Sequence, residues 1–279
     1  MTAAGDLKDL ERRDWAARSG AWDKWSDALA KLAERMNAPL VEAAALSPGL
    51  RVLDLASGAG EPALQIARAV GPSGRVVATD LVEDMLSGAR RRAAAIQLNQ
   101  VEFQAADMEA LPFPDAGFDR VTCRFGIMFA PDTRRALSEA HRVLKPGGRA
   151  VYLVWSEIQR NTMFQVIDAA VRKQLGSSPL DRETSPFRFA DGTLPGRMTA
   201  AGFAQVSERV IGWSPEIESG QPFWRPQLDM IFGDRLADLD AASRTALDQR
   251  VQQGFARYLK GSRYFLTAET RLIVGTKPG

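Results

Sequence analysis

Trp22, Trp25, Leu29, Leu32 and Met36 recur at spacings of three and four, which places them on one face of a helix. Pro39 and the Ser47-Pro48-Gly49 turn then break the pattern. From Leu50 onward, short apolar runs alternate with helix-like stretches. The runs lie at 51–55, 75–79, 101–105, 120–124 and 149–155, and helices are expected near 62–70, 83–98 and 133–144. Strand and helix signals in alternation predict a doubly wound, mostly parallel α/β sheet. Lys145-Pro146-Gly147-Gly148 ends the last of these helices and turns into the fifth run.

Beyond Trp155 the pattern predicts helices at 161–175 and 191–201, the second closed by Gly202 as a left-handed cap. A strand is expected at 205–213 and another at 270–276. Residues 226–258 read as mostly helical, with Leu247, Val251, Phe255 and Tyr258 on one face. The regions 156–185 and 214–262 therefore read as insertions that form a cap over one edge of the sheet. The expected layout is a helical lid at 1–48, a nucleotide-binding core at 49–156, and a remainder at 157–279 that completes the sheet and carries the cap, all within one structural domain.

Composition narrows the function classes. The 36 Lys and Arg nearly balance 34 Asp and Glu, and a net charge of +2 argues against a partner bound through phosphate neutralisation. The single cysteine, Cys123, excludes an internal disulfide framework, and the single histidine, His141, excludes a zinc site built on several imidazoles. No metal is expected. No apolar run reaches the ~18 residues of a membrane span. Residues 1–13 are charged and lack the apolar stretch of a secretory signal. The expectation is a cytoplasmic protein acting on a small molecule, with a homodimer left open.

The informative stretch is VLDLASGAGEPA at 52–63, a strand, a glycine turn and a helix start. Gly58 and Gly60, with Ala63, fit the loose dinucleotide fingerprint, and Asp80 follows Gly60 by twenty residues. A nicotinamide enzyme is one reading. Two features favour a cationic, phosphate-free nucleoside instead. Asp54 at the strand end would repel a pyrophosphate and attract a sulfonium. Pro62 removes an N–H from a helix start that a phosphate would need. Asp80 and Asp107 follow at intervals of 26 and 27 residues, so three acids are expected at the C-terminal edge of adjacent strands, where open α/β sheets bind ligands. On this reading Asp54 lies near the amino-acid moiety, Asp80 accepts from ribose hydroxyls and Asp107 from an adenine amino group.

These segments, with VVATDLVEDM at 76–85, AADMEALPFPDAGF at 105–118, RFGIMFAPD at 124–132 and RVLKPGG at 142–148, occur in the order found in class I S-adenosylmethionine-dependent methyltransferases. Within that class the chain is similar to the ubiquinone/menaquinone-biosynthesis type. The resemblance implies S-adenosylmethionine as cofactor and a seven-stranded sheet of order 3-2-1-4-5-7-6 with an antiparallel seventh strand. It implies that Ala56, Ser57 and Gly58 lie along the methionine part, that Asp80 and Leu81 hold ribose, and that Met85, Ala106, Asp107 and Met108 surround adenine. Arg124 and Phe125 would border the methyl-transfer position.

Methyl transfer from a sulfonium is a direct displacement that depends on alignment and exclusion of water. No side chain stands out as a general base, and none is assigned. Trp15, Trp22, Trp25, Met128, Phe129, Trp155, Trp224 and Tyr258 are expected to form an apolar acceptor pocket, with Arg188 and Arg263 as partners for any anionic substituent. Arg90-Arg91-Arg92 reads as a solvated helix face, Cys123 as a small core hydrophobe and His141 as structural. Other one-carbon chemistry on the same fold, with a folate or methyl halide partner, remains an alternative, as does a non-catalytic cofactor-binding protein.

Overall fold

The computed structural model describes residues 3–279, apart from the side chains of Ala3, Ala4, Leu29, Lys31, Leu32 and Asp234. Leu29 and Leu32, expected on the apolar face of the first helix, thus fall outside the described side chains. That helix, α1, spans Ala3–Ala43. Pro39 lies inside it rather than ending it. The chain leaves the helix only at the turn before Gly49, whose φ of +88° is the left-handed backbone that glycine tolerates.

Strands β1 (Arg51–Leu55), β2 (Arg75–Asp80), β3 (Val101–Ala105), β4 (Phe118–Arg124) and β5 (Leu144–Trp155) alternate with helices α2 (Ala63–Val70), α3 (Ser87–Ala95) and α4 (Thr133–Val143). Helices α5 (Thr162–Leu175) and α6 (Leu194–Ala200) lead to β6 (Ala204–Trp213) and the short β7 (Glu216–Glu218). Helices α7 (Arg225–Leu236) and α8 (Ala241–Phe255) precede β8 (Leu259–Lys260), β9 (Arg263–Phe265) and β10 (Ala268–Thr276).

The large sheet has the order β3-β2-β1-β4-β5-β10-β6, with β10 antiparallel to both neighbours and the other pairs parallel. This is the expected order, with 204–213 and 268–276 as its sixth and seventh strands. The central strand β1 is buried on both faces at Val52, Leu53 and Leu55, as a parallel sheet covered by helices requires. One face packs against α2 through Ile66, Ala67 and Val70, and the other against α4 through Leu137 and Ala140.

The cap has its own apolar cluster, built from α5, α7, α8 and the small sheet β7-β9-β8. Leu247, Val251 and Phe255 are buried there as the helical spacing predicts, and Tyr258 packs against them. Helix α1 packs along α7 and the start of α3, and its C-terminal end covers a face of the sheet where Leu40 meets Val151, Leu153 and Leu272. No helix among the described residues is long and apolar enough to cross a membrane.

Candidate active site

The first strand ends in a turn whose geometry is set by backbone contacts. Ala56, Gly58 and Gly60 all have positive φ, at +53°, +49° and +101°. Ser57 N donates to Thr79 O at 2.8 Å and Gly60 N to Ser57 O at 2.8 Å. A Cβ at Gly60 would come within 3.1 Å of Ala89 Cβ and 3.2 Å of Leu64. Gly60 therefore makes the tight turn possible. Across from it, Phe125 also has positive φ, +58°, and a Cβ on Gly126 would lie 2.3 Å from Ala56 Cβ. Two non-glycine residues in the left-handed region, Ala56 and Phe125, thus belong to the two loops that meet at this junction, and such backbone accumulates at functional sites.

The start of α2 presents few free donors. Pro62 immediately precedes the helix, one position earlier than the sequence pattern places it, and carries no N–H. Leu64 N bonds to Gly60 O, and Gln65 N and Ile66 N both bond to Pro62 O. The Glu61 carboxylate is held by Arg92 Nη2 at 2.5 Å and Asn37 Nδ2 at 2.6 Å. A pyrophosphate would meet a carboxylate and spent amides here, unlike the open helix N-termini that bind anions.

The three acids take different positions. Asp54 is fully buried inside β1, with Oδ2 accepting from Ser57 Oγ and Oδ1 from Thr122 Oγ1, each at 2.6 Å. It does not line the cavity. Asp54 braces the turn from beneath, tying it to Ser57 and to Thr122 of β4. Burial pushes its pKa up to about 6, against the pull of those two hydroxyls. Asp80 does line the cavity. It accepts from Gly58 N at 3.0 Å and Val82 N at 3.2 Å, and burial pushes it too up to about 6. Each of its oxygens keeps acceptor capacity. Asp107 lines the cavity beyond β3, with Oδ1 accepting from Glu109 N at 2.8 Å and Oδ2 from Lys8 Nζ at 2.7 Å.

Asp80 and Asp107 thus face one cavity of about 550 Å³. Ala56, Ser57 and Gly58 line it from the first turn, and Leu81 and Met85 from the segment after β2. Ala106 and Met108 join from the third loop, and Arg124 and Phe125 from the end of β4. Arg124 Nε donates to Glu61 O at 3.2 Å, and its guanidinium lies over the Phe125 ring. Desolvation lowers the Arg124 pKa.

A large part of the remaining cavity wall is aromatic. Phe125 stacks on Trp155 with centroids 4.3 Å apart and planes 3° from parallel, and Phe164 meets Trp155 edge-on. From the lid, Trp15 meets Phe129 edge-on at 4.9 Å and Trp22 at 6.1 Å. Trp22, Met128, Phe129 and Trp155 line the cavity. Trp25, Trp224 and Tyr258 do not. Trp25 is half-buried and donates to Asp229 of α7 at 3.0 Å, while Trp224 is buried in the cap cluster and donates to Asp248. Helical spacing cannot distinguish a cap core from a pocket wall, which is why these residues looked alike.

The polar part of the lid was missed. Lys8, Glu11, Trp15, Arg18, Trp22 and Ser26 all line the cavity from one face of α1. Their spacing of three and four was visible, but half of the positions are charged, so apolar periodicity passed over them. Lys8 Nζ also reaches Glu109 Oε2 at 2.5 Å. Partial burial opposes its charge, but the hydrogen bonds to Asp107 and Glu109 outweigh that and raise its pKa. Glu11 is buried, and its pKa is raised by desolvation.

The remaining expectations divide. Cys123 is a buried core residue whose thiol burial pushes up to about 12. His141 packs edge-on against Phe203, away from the cavity wall. Arg188 donates to the carbonyls of Ala130 and Pro131, and Arg263 pairs with Glu216 and Glu218, so both have partners within the fold. The arginine run is not a merely solvated face: Arg90 pairs with Glu83, Arg91 with Asp23 of α1, and Arg92 with Glu61 beneath the turn.

The donor set fits S-adenosylmethionine. Asp80 offers an acceptor for vicinal hydroxyls beside a glycine turn, and the adjoining helix start lacks the free amides that a diphosphate needs. The ubiE/COQ5 methyltransferase family matches residues 23–176. A ubiquinone/menaquinone biosynthesis C-methyltransferase of Methylobacterium nodulans is 37% identical over 172 residues, spanning 58% of this chain and 68% of that protein. The Shewanella frigidimarina protein of the same name is 35% identical over 178 residues, spanning 60% and 71%. A solved chain from Bacillus halodurans C-125, assigned as a methyltransferase, superposes with a TM-score of 0.58 at 25% identity and covers 87% of this chain and 98% of its own. The chain belongs to the ubiE/COQ5 methyltransferase family and is an S-adenosylmethionine-dependent methyltransferase acting on a small-molecule acceptor.

Proposed function

We propose that the acceptor is a flat, largely apolar ring compound of the quinone-precursor kind named for the relatives. The observation that carries this reading is the pair of aromatic walls on one cavity: Phe125 stacked on Trp155 from the sheet, and Trp15 against Phe129 beneath the lid. Such walls favour a planar guest and exclude water, which sharpens alignment for displacement.

On this reading Ala56, Ser57 and Gly58 hold the methionine part of the cofactor, and Asp80 and Leu81 hold ribose. Met85, Ala106, Asp107 and Met108 surround adenine, while Arg124 and Phe125 border the transfer position. When bound, S-adenosylmethionine supplies an electrophilic methyl group on its sulfonium. The chain's part is to orient the ring and keep the site dry. Residues 1–48 act as the lid, 49–156 as the cofactor core, and 157–279 as the sheet completion and cap. A cytoplasmic setting and a partner other than nucleic acid accompany the reading, in line with the net charge of +2.

The test is methyl transfer from labelled S-adenosylmethionine to 1,4-dihydroxynaphthalene, beside glycine and phosphoethanolamine as compact polar acceptors. Label in the naphthalene product supports the reading. Label confined to the polar acceptors overturns it.

A further inference from the structure

Glu11 is a carboxylate on the cavity wall beside Trp15, in a stretch that Lys8, Arg18, Arg182 and Thr184 also line. It lines the cavity and is 5% exposed. Its Oε1 accepts from Thr184 Oγ1 at 2.5 Å, and its Oε2 accepts from Trp15 Nε1 at 3.1 Å. Trp15 is thus wall and handle at once: its ring meets Phe129 edge-on while its N–H fixes Glu11 one helical turn away. Both described hydrogen bonds to Glu11 come from neutral donors, and a carboxylate has about four lone-pair sites, so acceptor capacity remains. The flanking charges are Arg182, which pairs with Asp14 and also attracts the Glu11 carboxylate, and Arg18, which pairs with Asp14.

The other carboxylates on the cavity wall have identified work. Asp80 holds the glycine turn, Asp107 and Glu109 hold Lys8, Glu61 holds Arg92, and Glu216 pairs with Arg263. Glu11, Trp15 and Thr184 also lie outside residues 23–176, the stretch shared with the family. The subsite therefore lies on the lid and the cap, outside the matched stretch.

We propose that Glu11 selects acceptors carrying a ring hydroxyl, by accepting a hydrogen bond from that hydroxyl while the ring lies against Trp15 and Phe129. The inference rests on the flat-ring reading above. Locked by two donors, Glu11 needs little reorganisation to receive a third, the condition for a specific polar contact in an apolar pocket.

The experiment compares two probes, 2-naphthol and naphthalene, by calorimetric titration of the full chain with S-adenosylhomocysteine present. Wild type should bind 2-naphthol about tenfold or more tighter than naphthalene, the worth of one hydrogen bond to a charged acceptor. In Glu11→Gln that ratio should fall toward one, while naphthalene binding is retained and so reports an intact pocket. Thr184→Val, which frees a lone pair on Glu11 without removing it, should preserve the hydroxyl preference. An unchanged ratio in Glu11→Gln overturns the assignment. Failure of both probes to bind wild type overturns the flat-ring reading, and this assignment with it.

Discussion

Asp80 Oδ2 accepts the backbone N–H of Gly58 at 3.0 Å, so the end of β2 holds in place the glycine turn that follows β1. One carboxylate thereby shapes the turn and faces the cavity beside it. Removing it should be felt at both tasks. Asp80→Ala is expected to weaken S-adenosylhomocysteine binding about tenfold or more, since hydrogen bonds to charged groups are worth roughly 1.5–3 kcal/mol. Calorimetry giving an unchanged affinity would take Asp80 out of the ribose site.

The same residue predicts a pH dependence. Burial raises Asp80 and Asp54 to about 6, above the ordinary carboxyl value of about 3.9. Groups shifted this way hold protons more tightly when folded, so their contribution to stability is full below the ordinary value and is lost as pH rises through about 6. Cofactor affinity should run the other way, because the ionised Asp80 is the stronger acceptor for hydroxyls. Binding of S-adenosylmethionine should weaken as pH falls from 7.5 to 5, and Asp80→Asn should flatten the curve. A wild-type affinity that stays level across this range contradicts the placement.

Gly126 predicts a steric failure. A methyl group there would sit 2.3 Å from Ala56 Cβ and 3.0 Å from Cys123 Sγ, with rigid elements on both sides. Gly126→Ala should therefore push the fourth-strand loop away from the first turn, costing about 1–3 kcal/mol as overpacking does. Cofactor binding should suffer more than global stability. A melting temperature and an S-adenosylhomocysteine affinity both equal to wild type would show that the two loops can part freely.

Two tryptophans separate pocket from core. Trp155 is stacked on Phe125 in the cavity, whereas Trp224 is buried in the cap and donates to Asp248. Trp155→Ala should raise the acceptor KM about tenfold, given the combined loss of stacking and buried area, with cofactor affinity little changed. Trp224→Ala should act mainly on stability, by about 3–5 kcal/mol. If the second variant changed the acceptor KM and spared the melting curve, the assignment of walls would be reversed.

The sheet was legible because β1, β2, β4 and β5 are buried runs bounded by Gly, Pro or polar turns, and because Asp80 and Asp107 recur at βαβ spacing. Even the antiparallel insertion of β10 between β5 and β6 followed once the motifs indicated the fold. What stayed hidden depends on side-chain direction. Asp54 and Asp80 look equivalent as strand-end acids, yet Asp54 turns into the sheet toward Thr122 and Asp80 turns toward the cavity. Trp22 and Trp25 are three positions apart on one helix, yet only Trp22 lines the cavity. Lys8 and Glu11 were invisible because their partners, Asp107 and Thr184, lie 99 and 173 residues away.

The most direct test is a crystal structure with S-adenosylhomocysteine and 2-naphthol bound together. The account places the ribose hydroxyls on Asp80 and the naphthol ring between the Phe125–Trp155 stack and the Trp15–Phe129 wall. A ribose turned away from Asp80, or a ring seated outside these walls, would contradict it.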